Sequence, residues 1–153
     1  KRTYLTYPKS GILAAEYEIL SQMLHARSAC NYFRDELGYL LDHHANQLAL
    51  CMIDYYRTHA EIQVADFLNT ICEEGVKTLL LSVAQWELAS DEVNMEALRE
   101  AVTKLKSCML DEKIARLVQD AQAVNDPIEK AKIAEERNAL IRERNALIQT
   151  REE

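Results

Sequence analysis

Asp42-His43-His44 sets a carboxylate beside two imidazoles, a trio that also occurs in some metal-dependent phosphoesterases. Those sites need several more Asp and His ligands on loops after strands, and no such set is visible in this chain. Adjacent helical positions also point about 100° apart, so two neighbouring imidazoles on a helix diverge. A solvated helix start accounts for the motif better. No H-E-x-x-H and no paired Glu-x-x-His occurs, so helical zinc and di-iron sites have no support. No G-x-x-x-x-G-K or other glycine-rich phosphate loop is present.

The four cysteines, Cys30, Cys51, Cys72 and Cys108, are widely spaced without a C-x-x-C. Each lies in an apolar stretch, which reads as buried reduced thiols in a reducing compartment. Nor do the scattered Cys and His make a nucleophile–base pair. The expectation is a chain without a catalytic site, cofactor or metal. Net charge is −7. An acidic chain without Lys/Arg clusters is a poor direct ligand for nucleic acid. Tyr39, Tyr55 and Tyr56 could stack on bases, but stacking proteins set aromatics in basic grooves. Core and rim packing is the better reading of these three. No stretch approaches the roughly 18 apolar residues of a membrane span, and no signal peptide is visible. The chain opens on Lys1 rather than Met, which reads as a piece of a longer protein.

The tail carries the strongest signal. Glu136-Arg137-Asn138-Ala139-Leu140-Ile141 recurs unchanged as Glu143-Arg144-Asn145-Ala146-Leu147-Ile148. A seven-residue period returns to nearly the same helical face two turns later. Leu140 and Leu147 make one apolar row, and Ile141 and Ile148 make another. Arg137 and Arg144 fall between the rows. Arg144 has Leu140, Ile141, Leu147 and Ile148 three and four residues away, and Arg137 has Ile133, Ala134, Leu140 and Ile141. Neither arginine finds a carboxylate on its own helix. A covering surface that supplies one would account for both.

The elements that hold these residues are helices. Three Gly and two Pro leave few breakers for a turn-rich sheet protein. Residues 1–11 read as an arm. A first helix spans 12–26, with Leu13, Tyr17, Leu20 and Leu24 at helical spacing. A short helix covers 28–36 and breaks near Gly38. Asp42 caps the next, whose buried face would be Ala45, Leu48, Met52 and Tyr55. Another short helix falls at 64–71. The span 76–89 is apolar on most sides, which predicts the centre of a bundle. Asn94 caps a long helix over 95–124 with two stripes. Leu98, Val102, Leu105 and Met109 form the first; Leu110, Ile114, Leu117, Ala121 and Val124 form the second. Asn125-Asp126-Pro127 breaks the helix, and a last one fills 128–150. The expected fold is all-α: a compact bundle over 12–109, then a projecting helical hairpin over 110–153.

Ala15-Glu16-Tyr17-Glu18-Ile19-Leu20-Ser21-Gln22-Met23-Leu24, in an acidic helical bundle that leads through a long helix into a terminal hairpin, resembles a known family. The family it resembles is the C-terminal helicase-binding domain of bacterial replicative DNA primases. Asp42-His43-His44-Ala45-Asn46-Gln47-Leu48-Ala49 followed by Tyr55-Tyr56 is similar to that family's third helix, and so is Ala65-Asp66-Phe67-Leu68. The resemblance runs from about Leu13 to the end and rests on apolar patterns.

The resemblance implies zinc-binding and polymerase domains upstream and a cytoplasmic place at the bacterial replication fork. It also implies docking on the N-terminal domains of the hexameric replicative helicase. The bundle would modulate the helicase and the hairpin would supply most of the attachment. Tethering raises the local concentration of primase, so an acidic domain can serve DNA synthesis. The partner-facing residues are then Ile133, Arg137, Leu140, Ile141, Arg144, Leu147 and Ile148, the arginines meeting partner carboxylates. One apolar row is expected inside the hairpin and one outside. Two other readings stand beside this one. The N-terminal domain of the helicase itself is similar, and the terminal repeats could zip two copies as a weak homodimer.

Overall fold

The computed structural model describes residues 11–85 and 92–152, with 150–152 as backbone only. Among them are seven helices and no strand: α1 (Gly11–His25), α2 (Arg27–Glu36), α3 (His43–Tyr55), α4 (Val64–Leu68), α5 (Glu74–Gln85), α6 (Met95–Ala123) and α7 (Pro127–Glu152). The protein is all-α. Residues 1–10 of the arm expected at 1–11, and Trp86 and Leu88 of the apolar 76–89 span, lie outside the described residues, while Gly11 opens α1.

The chain divides into two compact units within α6, one reaching to Val102 and the other starting at Thr103. The sequence pattern set its boundary between 109 and 110.

Local chemistry explains the helix ends of the first unit. Gly38 takes a left-handed φ of 85°, and the N–H groups of Leu37 and Gly38 both donate to the Phe33 carbonyl at 2.9 Å. An L-side chain at that φ is strained, so glycine ends α2 there. Asp42 starts α3, its Oδ2 accepting from the Ala45 N–H at 3.0 Å. Asn94 does the same for α6, its Oδ1 accepting from the Ala97 N–H at 3.0 Å.

α1 lies at the middle of this unit, packed on α2, α3 and α5. Its five consecutive residues from Ile19 to Met23 are all buried. α5 was expected in that place, but it buries only Val76, Leu79, Leu80 and Val83, and Leu81 is 40% exposed. Hydrophobicity all round therefore misidentified the central helix. The chain instead buries polar groups of α1 and satisfies Glu16 and Gln22, whereas Ser21 Oγ is buried without a hydrogen-bond partner. Glu16 Oε2 accepts from the N–H of Leu41 at 2.7 Å and of Asp42 at 3.2 Å. Gln22 Oε1 accepts from the Asn94 N–H at 2.7 Å, while its Nε2 donates to Glu18 Oε1 at 3.0 Å. These bonds tie the α2–α3 turn and the start of α6 to α1. Phe33 and Phe67 are fully buried, each contributing about 2–3 kcal/mol by area.

α3 also departs from its expected face. Tyr56 is buried and Tyr55 is half-buried, because position 56 follows Ala45, Leu48/Ala49 and Met52 at helical spacing. The Tyr56 hydroxyl donates to the Met23 carbonyl at 2.6 Å. Tyr55 stacks on His59 with ring centroids 3.8 Å apart and tilts against Phe67 at 5.0 Å.

The second unit holds the rest of α6, a three-residue connection at 124–126, and α7. Asp126 Oδ1 accepts from the Ile128 N–H at 3.1 Å, and Pro127 fills the first helical position, where its missing N–H costs nothing. Leu110 is buried, and Ile114, Leu117, Ala121 and Val124 are half-buried. Those are the residues of the second α6 stripe.

Candidate partner-docking surface

The half-buried side chains of α7 are Ile133, Ala134, Arg137, Leu140, Ile141, Arg144 and Leu147. Steps of one, three and four residues keep them within about 140° of the helix. Arg137 and Arg144 stand near the middle of that face. The remaining candidate, Ile148, is 43% exposed. So the two rows do not separate as inside and outside: the Leu140/Leu147 row is half-buried throughout, while the isoleucine row opens between Ile141 and Ile148. Exposed apolar groups of the same unit are Val118 at 37% and Ile128 at 67%.

Arg144 has a carboxylate within the chain. Its guanidinium donates to Asp111 Oδ1 of α6 at 2.8 Å, with side chains 29% and 54% exposed. A partly solvated pair of this kind contributes about 1 kcal/mol or less. Its geometric role is larger, because it ties α6 to α7 far from their short connection. Reading α7 alone missed Asp111. The signal was present in the hairpin itself: Asp111 directly follows Leu110, the first residue of the α6 stripe that faces inward. Arg137 differs from its twin. Its Nε is buried without a hydrogen-bond partner, and Arg137 makes no ion pair among the described residues.

No described side chain of α7 is fully buried. The unit is thus a two-helix layer that half-covers its own apolar ridge. The charge of residues 127–153 is balanced, six Lys/Arg against six Asp/Glu. Such a surface suits contact through apolar groups and individual ion pairs rather than attraction to a polyanion.

The other chemically interesting side chains belong to the first unit. His43 and His44 are both exposed, with ring centroids 5.6 Å apart. The His44 ring lies over Gly75, where a Cβ would collide with it, and its Nε2 is 3.4 Å from Glu73 Oε1. His44 thereby packs the start of α3 against α5. No group of three or more metal-ligating side chains is assembled among the described residues. Burial pushes the Cys30 thiol up to about 11 and raises that of the half-buried Cys51 as well. Cys72 is exposed, against the expectation of a buried thiol. It follows Ile71, which takes the inward position of the α4–α5 connection. Glu16 has its carboxyl raised above the ordinary range by burial, against the opposing effect of the two backbone N–H groups it accepts from.

No family model matches this chain, and no curated protein matches it.

Proposed function

We propose that this chain is a non-catalytic helicase-docking module of a bacterial DNA primase. Its second unit attaches to the N-terminal domains of the hexameric replicative helicase, and its bundle modulates the helicase. The observation that carries the reading is the open apolar face of α7. Seven side chains on one face stop at half-burial, and two of them are arginines. A two-helix layer gains more burial only by docking, and partly buried arginine among apolar groups is a frequent centre of binding energy. The resemblance of the α1 and α3 segments to the primase domain supplies the identity of the partner. Recruitment through protein contact also fits an acidic chain with no basic cluster.

Gel filtration of the chain with the replicative helicase tests this. Co-elution that is lost on Leu147→Ala supports docking. A chain that elutes alone, and as a dimer whose proportion rises with concentration and falls in the same variant, would establish self-association in its place.

A further inference from the structure

The repeated hexapeptide gives α7 two arginines in equivalent settings, and the structure satisfies one of them. Arg144 reaches Asp111 at 2.8 Å. That contact sets the register of α6 against α7. The two helices run in opposite directions across a three-residue connection, so seven residues toward the connection on each is the same axial step, about 10 Å. Arg144 minus seven is Arg137, and Asp111 plus seven is Val118. The position that supplies a carboxylate to one arginine therefore supplies an isopropyl group to the other. The α6 residues three and four away from Val118 are Ile114, Ala115, Ala121 and Gln122, none of them acidic. On α7 the corresponding neighbours of Arg137 are Ile133, Ala134, Leu140 and Ile141. Asp120 lies two residues from Val118 and so about 200° round α6. Arg137 Nε is accordingly buried without a hydrogen-bond partner, and Val118 is 37% exposed.

A guanidinium with a buried, unpaired nitrogen is costly to leave so. We infer that Arg137 is the residue that reads the partner, taking an Asp or Glu carboxylate from the partner's surface beside Val118, whereas Arg144 is a clasp of the hairpin. This rests on the docking reading and sharpens it, since the two copies of the repeat divide the work. Charge complementarity selects the occupant. The vacant position needs one carboxylate on a short stem, flanked by apolar groups that cover Val118 and Ile141.

The test measures affinity of the full chain for the hexameric helicase by calorimetry, and thermal midpoints of the same variants alone. Arg137→Gln is expected to weaken binding about tenfold or more, the effect of losing one charge-assisted contact. Val118→Asp places the missing carboxylate inside the chain. It should weaken binding to a similar degree while raising the thermal midpoint, and Val118→Asn should not raise it. Asp111→Asn, which cuts the internal pair of the twin, should keep affinity within about threefold. Normal binding by Arg137→Gln and Val118→Asp would overturn the assignment. So would an Asp111→Asn variant as weak as Arg137→Gln, because the two arginines would then be equivalent. If the unaltered chain does not bind the helicase, the docking reading falls. The thermal arm then decides alone: without a rise for Val118→Asp over Val118→Asn, Arg137 does not lack a carboxylate.

Discussion

Glu16 shows how a single buried residue links distant parts of the chain. Its Oε2 accepts from the backbone of Leu41 and Asp42, twenty-five and twenty-six residues away. Burial raises its carboxyl above the ordinary 4.5, so the folded state binds this proton more tightly than the unfolded one. The stability contributed by that preference is fully present below the ordinary value and is lost as pH rises through the raised folded value. Glu16→Gln retains an oxygen for both N–H groups and cannot ionise. Urea unfolding from about pH 4 to about pH 7 should show the native protein losing stability relative to this variant as pH rises. A difference that stays constant with pH would remove Glu16 from the account. Glu16→Ala leaves the turn without its acceptor and should cost about 1–3 kcal/mol at any pH. Thiols differ in the same residue-level way. Cys72 is exposed, whereas Cys30 is buried with its thiol pushed up to about 11. Since the thiolate is the nucleophile, iodoacetamide near neutral pH should alkylate Cys72 well before Cys30, as peptide mass spectrometry would read. Equal rates would mean the α2 core opens readily.

At the scale of elements, the start of α6 is held by two bonds of unequal weight. Asn94 Oδ1 accepts from Ala97 in an exposed cap, and the Asn94 N–H donates to the buried Gln22. Asn94→Ala should cost about 1 kcal/mol, an ordinary cap loss. Gln22→Leu strands a backbone donor and removes the link from α1, for about 1–3 kcal/mol. Denaturant midpoints that rank Asn94→Ala as the worse variant would contradict this ordering. The contrast also explains what could be read in advance. Caps at Asp42 and Asn94 and the break at Pro127 depend on residues within one turn, so the sequence displays them directly. The two α6 stripes were legible for the same reason, as periodicity along one helix. Gln22 to Asn94 spans 72 residues, and Arg144 to Asp111 spans 33. No local pattern announces such pairs, so periodicity puts Arg137 and Arg144 on the apolar face of α7 but does not reveal Asp111. The choice of α5 over α1 as the central helix failed on similar grounds. Burying Glu16 and Gln22 depends on acceptors and donors that arrive from elsewhere in the chain.

For the molecule as a whole, burial and charge are both unevenly distributed. Among the described residues, all the buried apolar side chains except Leu105, Met109 and Leu110 belong to the first unit. The net charge of −7 belongs to residues 1–126, because 127–153 balance six against six. A core so concentrated should keep the first unit folded without α7. Under the proposed function, attachment should depend on α7 nearly completely. Ending the chain after Asn125 separates the two properties. The shortened chain should retain the helical signal of α1 to α5 in circular dichroism and unfold cooperatively, with a midpoint lowered by no more than a few degrees. Its co-elution with the replicative helicase should disappear. Loss of cooperative unfolding would show that α7 is needed for the bundle core, and the two units could not then be assigned separate tasks. Retained co-elution by a folded, shortened chain would move the docking surface from the hairpin to the bundle, and with it the role proposed for Arg137.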